Sequence, residues 1–295
     1  VATSKLKAVA PKAAEPSRPK ILIYGKPGAG KTWAAIDFPS VYYIDTEGGA
    51  NLSHYTDKLA AAGGMYMGPE QGANSLDVII DQIKALTTEK HEFRTLVIDS
   101  ITKAFDTEIA NEAERLGDKA VYGAEKKSAV SKMRQIVAKL DKLDMNVILV
   151  AQAKDEYGID SKGNREVIGE TFACWDRLEY ELHVCLNVVR QTATSRKAKI
   201  RKSRLKEFPE METMPWSYEE FAKRFGRDRL EKPAEAVAMA TEEQVKEVKR
   251  LVEVVKLPDG QETKWFTAAG VDGYDEMSAE VIGKVIEHLR GKIAA

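Results

Sequence analysis

Cysteine and histidine are both scarce: Cys174, Cys185 and four scattered histidines are all that 295 residues contain. The two cysteines form no CxxC pair, so no zinc cluster is legible, and the shortage of thiols points to a reducing compartment. No apolar run approaches the roughly 18 residues that a helical membrane span needs. Net charge is nearly absent as well, since 45 basic residues face 46 acidic ones. A uniformly basic surface is thereby excluded, and any contact with nucleic acid has to come from a local patch. The opening stretch VATSKLKAVAPKAAEPSRPK lacks the apolar core of a secretion signal. Its lysines and prolines predict a disordered basic tail over residues 1–18. No internal repeat is present.

What remains is a globular composition, 43% hydrophobic and 31% charged, long enough for one large core or an ordinary domain plus a small one. Apolar strand signals alternate with helical ones. KILIYG, VYYID, TLVIDS and NVILVAQ read as buried strands, and YELHVCLNVV with KAKIRKSRL reads as a closing pair. Between them, Ser75 can cap a helix carrying Leu76, Ile79, Ile80, Ile83 and Leu86 on one face, and a second helix aligns Val130, Met133, Ile136, Val137, Leu140 and Leu143. Strands alternating with helices predict an α/β fold with a mostly parallel sheet covered on both sides. The expected core spans residues 19–229, a linker 230–240, and a small helical module 241–295. Thr241 to Gln244, TEEQ, fits a capping box that opens the module. Trp265, Phe266, Val281, Ile282, Val285, Ile286 and Leu289 are its expected core.

GKPGAGKT, comprising Gly25, Lys26, Pro27, Gly28, Ala29, Gly30, Lys31 and Thr32, matches G-x-x-x-x-G-K-[S/T] between a strand and a helix. Such a loop curls backbone N–H groups around a phosphate. Lys31 would neutralise the β- and γ-phosphates of ATP, and Thr32 would offer its hydroxyl to Mg²⁺. Asp99, ending the apolar run TLVID, is the expected second Mg²⁺ group, because ligands lie beyond the carboxyl ends of such strands. Asp45-Thr46-Glu47-Gly48 also fits the D-x-x-G of GTPases. The N-K-x-D that would read guanine is missing, for the chain has no Asn-Lys pair. Ser100 follows Asp99 where AAA+ motors usually carry a glutamate.

With these motifs in this order the chain resembles the RecA-type recombinases, especially their short phage-encoded relatives that act with single-strand annealing systems. The resemblance covers residues 19 to 209. It implies that Glu47, in YIDTEGG, polarises the attacking water, leaving Asp45 as a structural acid. It implies that Gln152, ending LVAQ, senses the γ-phosphate and signals to the following loop, AKDEYGIDSKGNREVIGETFA, at the position of the family's second DNA-binding loop. It further implies that Lys202 and Arg204, in IRKSRLKEFP, reach the neighbouring subunit's nucleotide. The activity implied is DNA-dependent ATP hydrolysis, with self-association into a filament or ring on single-stranded DNA, in the cytoplasm (the host's, if phage-encoded). A nucleotide-binding scaffold and a helicase-like motor are the alternatives.

Residues 190–206 carry eight cations and no acid, a local field suited to phosphate, although an edge strand guarded by lysines has the same composition. In the loop, Lys162, Asn164 and Arg165 flank a glycine and can follow a phosphate backbone, while Tyr157 and Phe172 can stack on bases. The acids Glu108, Glu112 and Glu114 argue against DNA at the segment after Ser100. The C-terminal module has eight basic and eleven acidic residues, which suits a protein partner, such as a single-strand-binding or annealing protein, better than DNA.

Overall fold

The computed structural model describes residues 18–269, 271 and 273–294. The tail expected over 1–18 therefore lies outside the described residues, apart from Arg18. One nine-stranded sheet forms the centre. Its strands are β1 (Lys20–Gly25), β2 (Val41–Asp45), β3 (Met65–Met67), β4 (Thr95–Asp99), β5 (Asn146–Ile159), β6 (Arg165–Ala173), β7 (Val184–Arg190), β8 (Arg196–Ser203) and β9 (Thr213–Pro215). They run in the order β3-β2-β4-β5-β1-β7-β8-β9, with β6 paired to β5 alone. The strands from β3 to β7 are parallel; β6, β8 and β9 join antiparallel.

Alternation along each strand divides the core in two. Leu22 and Tyr24 of β1 face a layer built from the helices Leu76–Thr88, Ile101–Leu116 and Lys126–Leu140. Ile21 and Ile23 face Phe38, Leu59, Phe221 and Phe225 on the other side. A sheet buried on both faces needs near-continuous apolar strands, which is why KILIYG is buried at every position. Leu76, Ile79, Ile83 and Leu86 are buried as their spacing predicts. Ser75 stands at the N-cap, but its side chain makes no capping bond. The stretch YELHVCLNVV is not strand throughout, because Leu178–Glu181 forms a single helical turn before β7.

The segment expected as a loop after Gln152 is instead a long β-hairpin. β5 continues past the sheet to Ile159 and β6 returns antiparallel, pairing Gln152 with Ala173 at the base and Ile159 with Arg165 at the tip. Its outer half alternates exposed apolar side chains with charges that find partners, such as Glu156 with Arg201 at 2.8 Å.

Arg18 is buried. It donates to the carbonyls of Arg229, Leu230, Lys232 and Pro233 and pairs with Asp144 at 3.0 Å. The segment read as a linker is laid against the core, with the Val237 amide donating to Thr87 O. The module's helices are Glu242–Val255, Gln261–Ala269 and Ala279–Ala294. Thr241 Oγ1 accepts from the Gln244 amide while Gln244 Oε1 accepts from the Thr241 amide, closing the capping box. Val248, Leu251, Tyr274, Met277, Ile282, Ile286 and Leu289 are buried there, with Trp265, Phe266, Val281 and Val285 packed around them. Lys84 joins the module to the core through Glu276 at 2.5 Å. No described helix is long and apolar enough to cross a membrane. The architecture is an α/β P-loop core with a mostly parallel sheet and a small C-terminal helical module.

Candidate active site

Parallel register brings the candidate side chains to one end of the sheet. Asp45 stands opposite Asp99, and Asp99 opposite Val150, so β2 and β4 end level with the point on β5 just before Gln152, which stands opposite Gly25 and the loop that leaves β1. That loop turns with Gly28 and Gly30 at φ of 74° and 87°, values that only glycine adopts without strain. Gly25 is required for a different reason: a Cβ there would stand 2.2 Å from the carbonyl oxygen of Val188.

Thr32 Oγ1 donates to Asp99 Oδ2 at 2.6 Å, and the Tyr43 hydroxyl donates to the same oxygen at 2.8 Å. Burial raises the Asp99 carboxyl above its ordinary range, although both hydrogen bonds and Lys31 oppose the shift. A divalent cation would offset that desolvation. Among the described residues, no group of three or more His, Cys, Asp or Glu is arranged to hold a metal. One carboxylate and one hydroxyl suit Mg²⁺, which keeps waters and phosphate oxygens as its other ligands.

Lys31 Nζ donates to the carbonyls of Gly25 at 2.7 Å and Lys26 at 3.0 Å. Burial lowers its pKa, against the pull of Asp99 and Glu47. A lysine desolvated this way gains most from an anionic partner.

The two acids of Asp45-Thr46-Glu47-Gly48 differ in their partners. Asp45 is buried and satisfied by its own turn: Oδ1 accepts the amides of Glu47 and Gly48, and Oδ2 accepts the Ala50 amide and the Tyr66 hydroxyl. Glu47 faces the crevice. Its Oε1 accepts from Ser100 Oγ at 2.5 Å and from Gln152 Nε2 at 2.8 Å. The Gln152 backbone N–H donates to Thr102 Oγ1, which donates to Ala173 O at the hairpin's base. The loop and hairpin also meet through Lys26 Nζ and Glu170 Oε1 at 2.9 Å.

At the hairpin tip, Lys162 is exposed and Arg165 covers the Tyr157 ring, with its guanidinium 3.7 Å from the centroid. Asn164 is engaged by Asp160, whose carboxylate accepts the amides of Lys162 and Asn164 and the Asn164 side chain. The stacking role considered for Phe172 fails: it is buried in the core, 6.1 Å from the Tyr24 ring. Lys202 and Arg204 lie away from the loop. Lys202 is paired with Cys185 on β7, one residue beyond Val184, which opposes Ile21 near the start of β1. Their side chains donate to the carbonyls of Leu182 and Tyr180.

Sequence reasoning missed Tyr43, Ser100 and Glu170. Ser100 directly follows Asp99, and that adjacency is a signal; Tyr43 reaches Asp99 from 56 residues away and carries none. Nothing local pointed to Glu170.

A family model described as an AAA domain matches residues 17–211. No curated protein matches the sequence. Among solved structures, the RadB recombinase is similar over 67% of this chain and 86% of that one, at 17% identity and a TM-score of 0.43.

Proposed function

Since the chain belongs to this AAA-domain family, we propose that it is a RecA-like ATPase stimulated by single-stranded DNA, acting in phage-type homologous recombination or strand annealing. The observation that carries the reading is the Glu47–Gln152 hydrogen bond. It ties a carboxylate in the nucleotide crevice to the first residue of the projecting hairpin. In this reading Gly25, Lys26, Pro27, Gly28, Ala29, Gly30 and Lys31 cradle the ATP phosphates, and Thr32 and Asp99 would hold Mg²⁺, which would supply charge neutralisation there. Glu47 orients and deprotonates the attacking water. Gln152 exchanges its bond with Glu47 for one with the γ-phosphate, so nucleotide state reaches the hairpin and its DNA-facing Lys162, Asn164 and Arg165.

Lys202 and Arg204 sit near the opposite end of the sheet from the loop of their own subunit. β8 between them spans roughly 20 Å or more, so they serve a nucleotide only in head-to-tail assembly, where one subunit's rear face meets the next one's crevice. The acidic C-terminal module docks a single-strand-binding or annealing protein. The site of action is the cytoplasm, the host's if the protein is phage-encoded.

The test is ATP hydrolysis measured with and without single-stranded DNA. Turnover that rises with added strand is expected. Tight ATP binding with negligible turnover in both conditions would replace this reading with a nucleotide-dependent scaffold.

A further inference from the structure

Arg196 opens β8, directly after the turn that joins it to β7. Because β7 pairs with β1, this turn lies beside the phosphate loop, on the side of β1 away from β5. The side chain lies on the loop itself. A Cβ built on Gly30 would stand 2.0 Å from Arg196 Nε, 2.3 Å from its Cδ and 3.2 Å from its Cζ. Gly30 thus has two reasons to be glycine, its φ of 87° and the arginine that occupies the space of a side chain.

Among the described residues no carboxylate pairs with Arg196. Its Nε is buried and makes no hydrogen bond among the described residues. Arg190, directly opposite it across the hairpin, donates instead to the Thr192 and Ala193 carbonyls and closes its own turn. Two like charges face each other there, and only one is satisfied. A buried guanidinium nitrogen without a partner is costly, and it is held against a loop whose ligand is anionic.

Direction along the loop identifies the phosphate. Thr32, Asp99 and Glu47 mark the metal and γ-phosphate end, toward β4 and β2. A polyphosphate anchored there leaves the loop on the other side of β1, where Arg196 stands. We propose that Arg196 is a nucleotide-binding residue that pairs with the α-phosphate, a group ATP and ADP share. The inference rests on the ATPase reading above.

The test is calorimetric titration of the full chain with Mg²⁺-ADP and with a slowly hydrolysed ATP analogue. Arg196→Met keeps the aliphatic stem on Gly30 and removes the charge. It should weaken both nucleotides by the same factor, roughly 10- to 100-fold for a lost charge-assisted hydrogen bond, and Arg196→Lys should recover part of the loss. The unfolding midpoint of the nucleotide-free variant should be no lower than the wild type's, since the unpartnered nitrogen is removed with the charge, which separates lost binding from lost fold; a lowered midpoint together with no recovery in Arg196→Lys would overturn the inference in favour of packing. Wild-type affinity in Arg196→Met would do the same. A loss confined to the ATP analogue would move Arg196 to the γ-phosphate and overturn the assignment. A wild-type chain that binds neither nucleotide overturns the ATPase reading, and the inference with it.

Discussion

At the scale of single residues, position and partners separate two acids that sequence places two apart. Asp45 accepts three backbone amides and a tyrosine hydroxyl, which leaves it no capacity for chemistry. Among the described residues Glu47 accepts only from side chains, the Ser100 hydroxyl and the Gln152 amide. Glu47→Gln keeps an acceptor for Ser100 and Gln152 while removing the base. Nucleotide affinity should stay within a few-fold of wild type, and turnover should fall about 10²-fold or more; turnover at the wild-type rate would remove Glu47 from the chemistry. The motif residues were legible because each needs a local pattern: glycines that permit positive φ, a cation next to a hydroxyl, an acid ending an apolar strand. Tyr43 on Asp99 and Glu170 on Lys26 were not. Both contacts join residues more than fifty positions apart, and only the sheet order brings them together.

At the scale of elements, the hairpin is where sequence and structure part most clearly. Lys154, Asp155, Glu156 and Asp160 make the stretch after Gln152 look like a solvated loop. The backbone nevertheless extends because Tyr157, Ile159, Val167 and the core residue Phe172 fit a pleated ribbon, with Gly163 at φ 84° turning the tip. A ribbon is a stiffer transmitter than a loop, since cross-strand bonds carry a shift at its base to its end. Its base is gripped on one strand by Glu47 through Gln152, and on the other by Lys26 through Glu170. If nucleotide alters those grips, ATP must tighten DNA binding by the same factor that DNA tightens ATP binding. Gln152→Ala should leave ATP binding nearly intact and erase this mutual effect. Lys162→Ala/Arg165→Ala should weaken DNA binding in every nucleotide state and flatten its salt dependence. Anisotropy titrations of a labelled single strand with an ATP analogue, with ADP and without nucleotide measure both, and equal wild-type affinity in all three would exclude the coupling.

At the scale of the whole molecule, the two ends of the sheet have different work. The carboxyl end holds the crevice; the amino end holds Arg18, Lys20, His183, Lys202 and Arg204. Composition revealed the cations but not their role as fasteners, because carbonyls buried in a chain turn leave no mark in sequence. Mixing Lys31→Ala chains with Lys202→Ala/Arg204→Ala chains should restore part of the ATPase activity that each lacks, since one composite interface would be intact; no recovery at any ratio would count against sites shared between subunits. The same cluster sets a pH dependence. His183 accepts the Lys20 amide through Nδ1 at 3.0 Å, a role only the unprotonated nitrogen can fill. Burial, and then the charges of Lys20, Arg204 and Lys202, bring its pKa down to about 4 from 6.5. The unfolded chain therefore takes up this proton near pH 6.5 and the folded chain only near pH 4. Stability from this group is intact above pH 6.5, is lost progressively between pH 6.5 and 4, and changes no further below. His183→Asn presents a carbonyl oxygen to the Lys20 amide and cannot titrate. Urea unfolding at pH 7 and pH 4.5 should show the wild type losing more stability than the variant over that interval, the carboxylates common to both cancelling in the difference. Equal losses in the two chains would mean that His183 is protonated in the fold as readily as out of it.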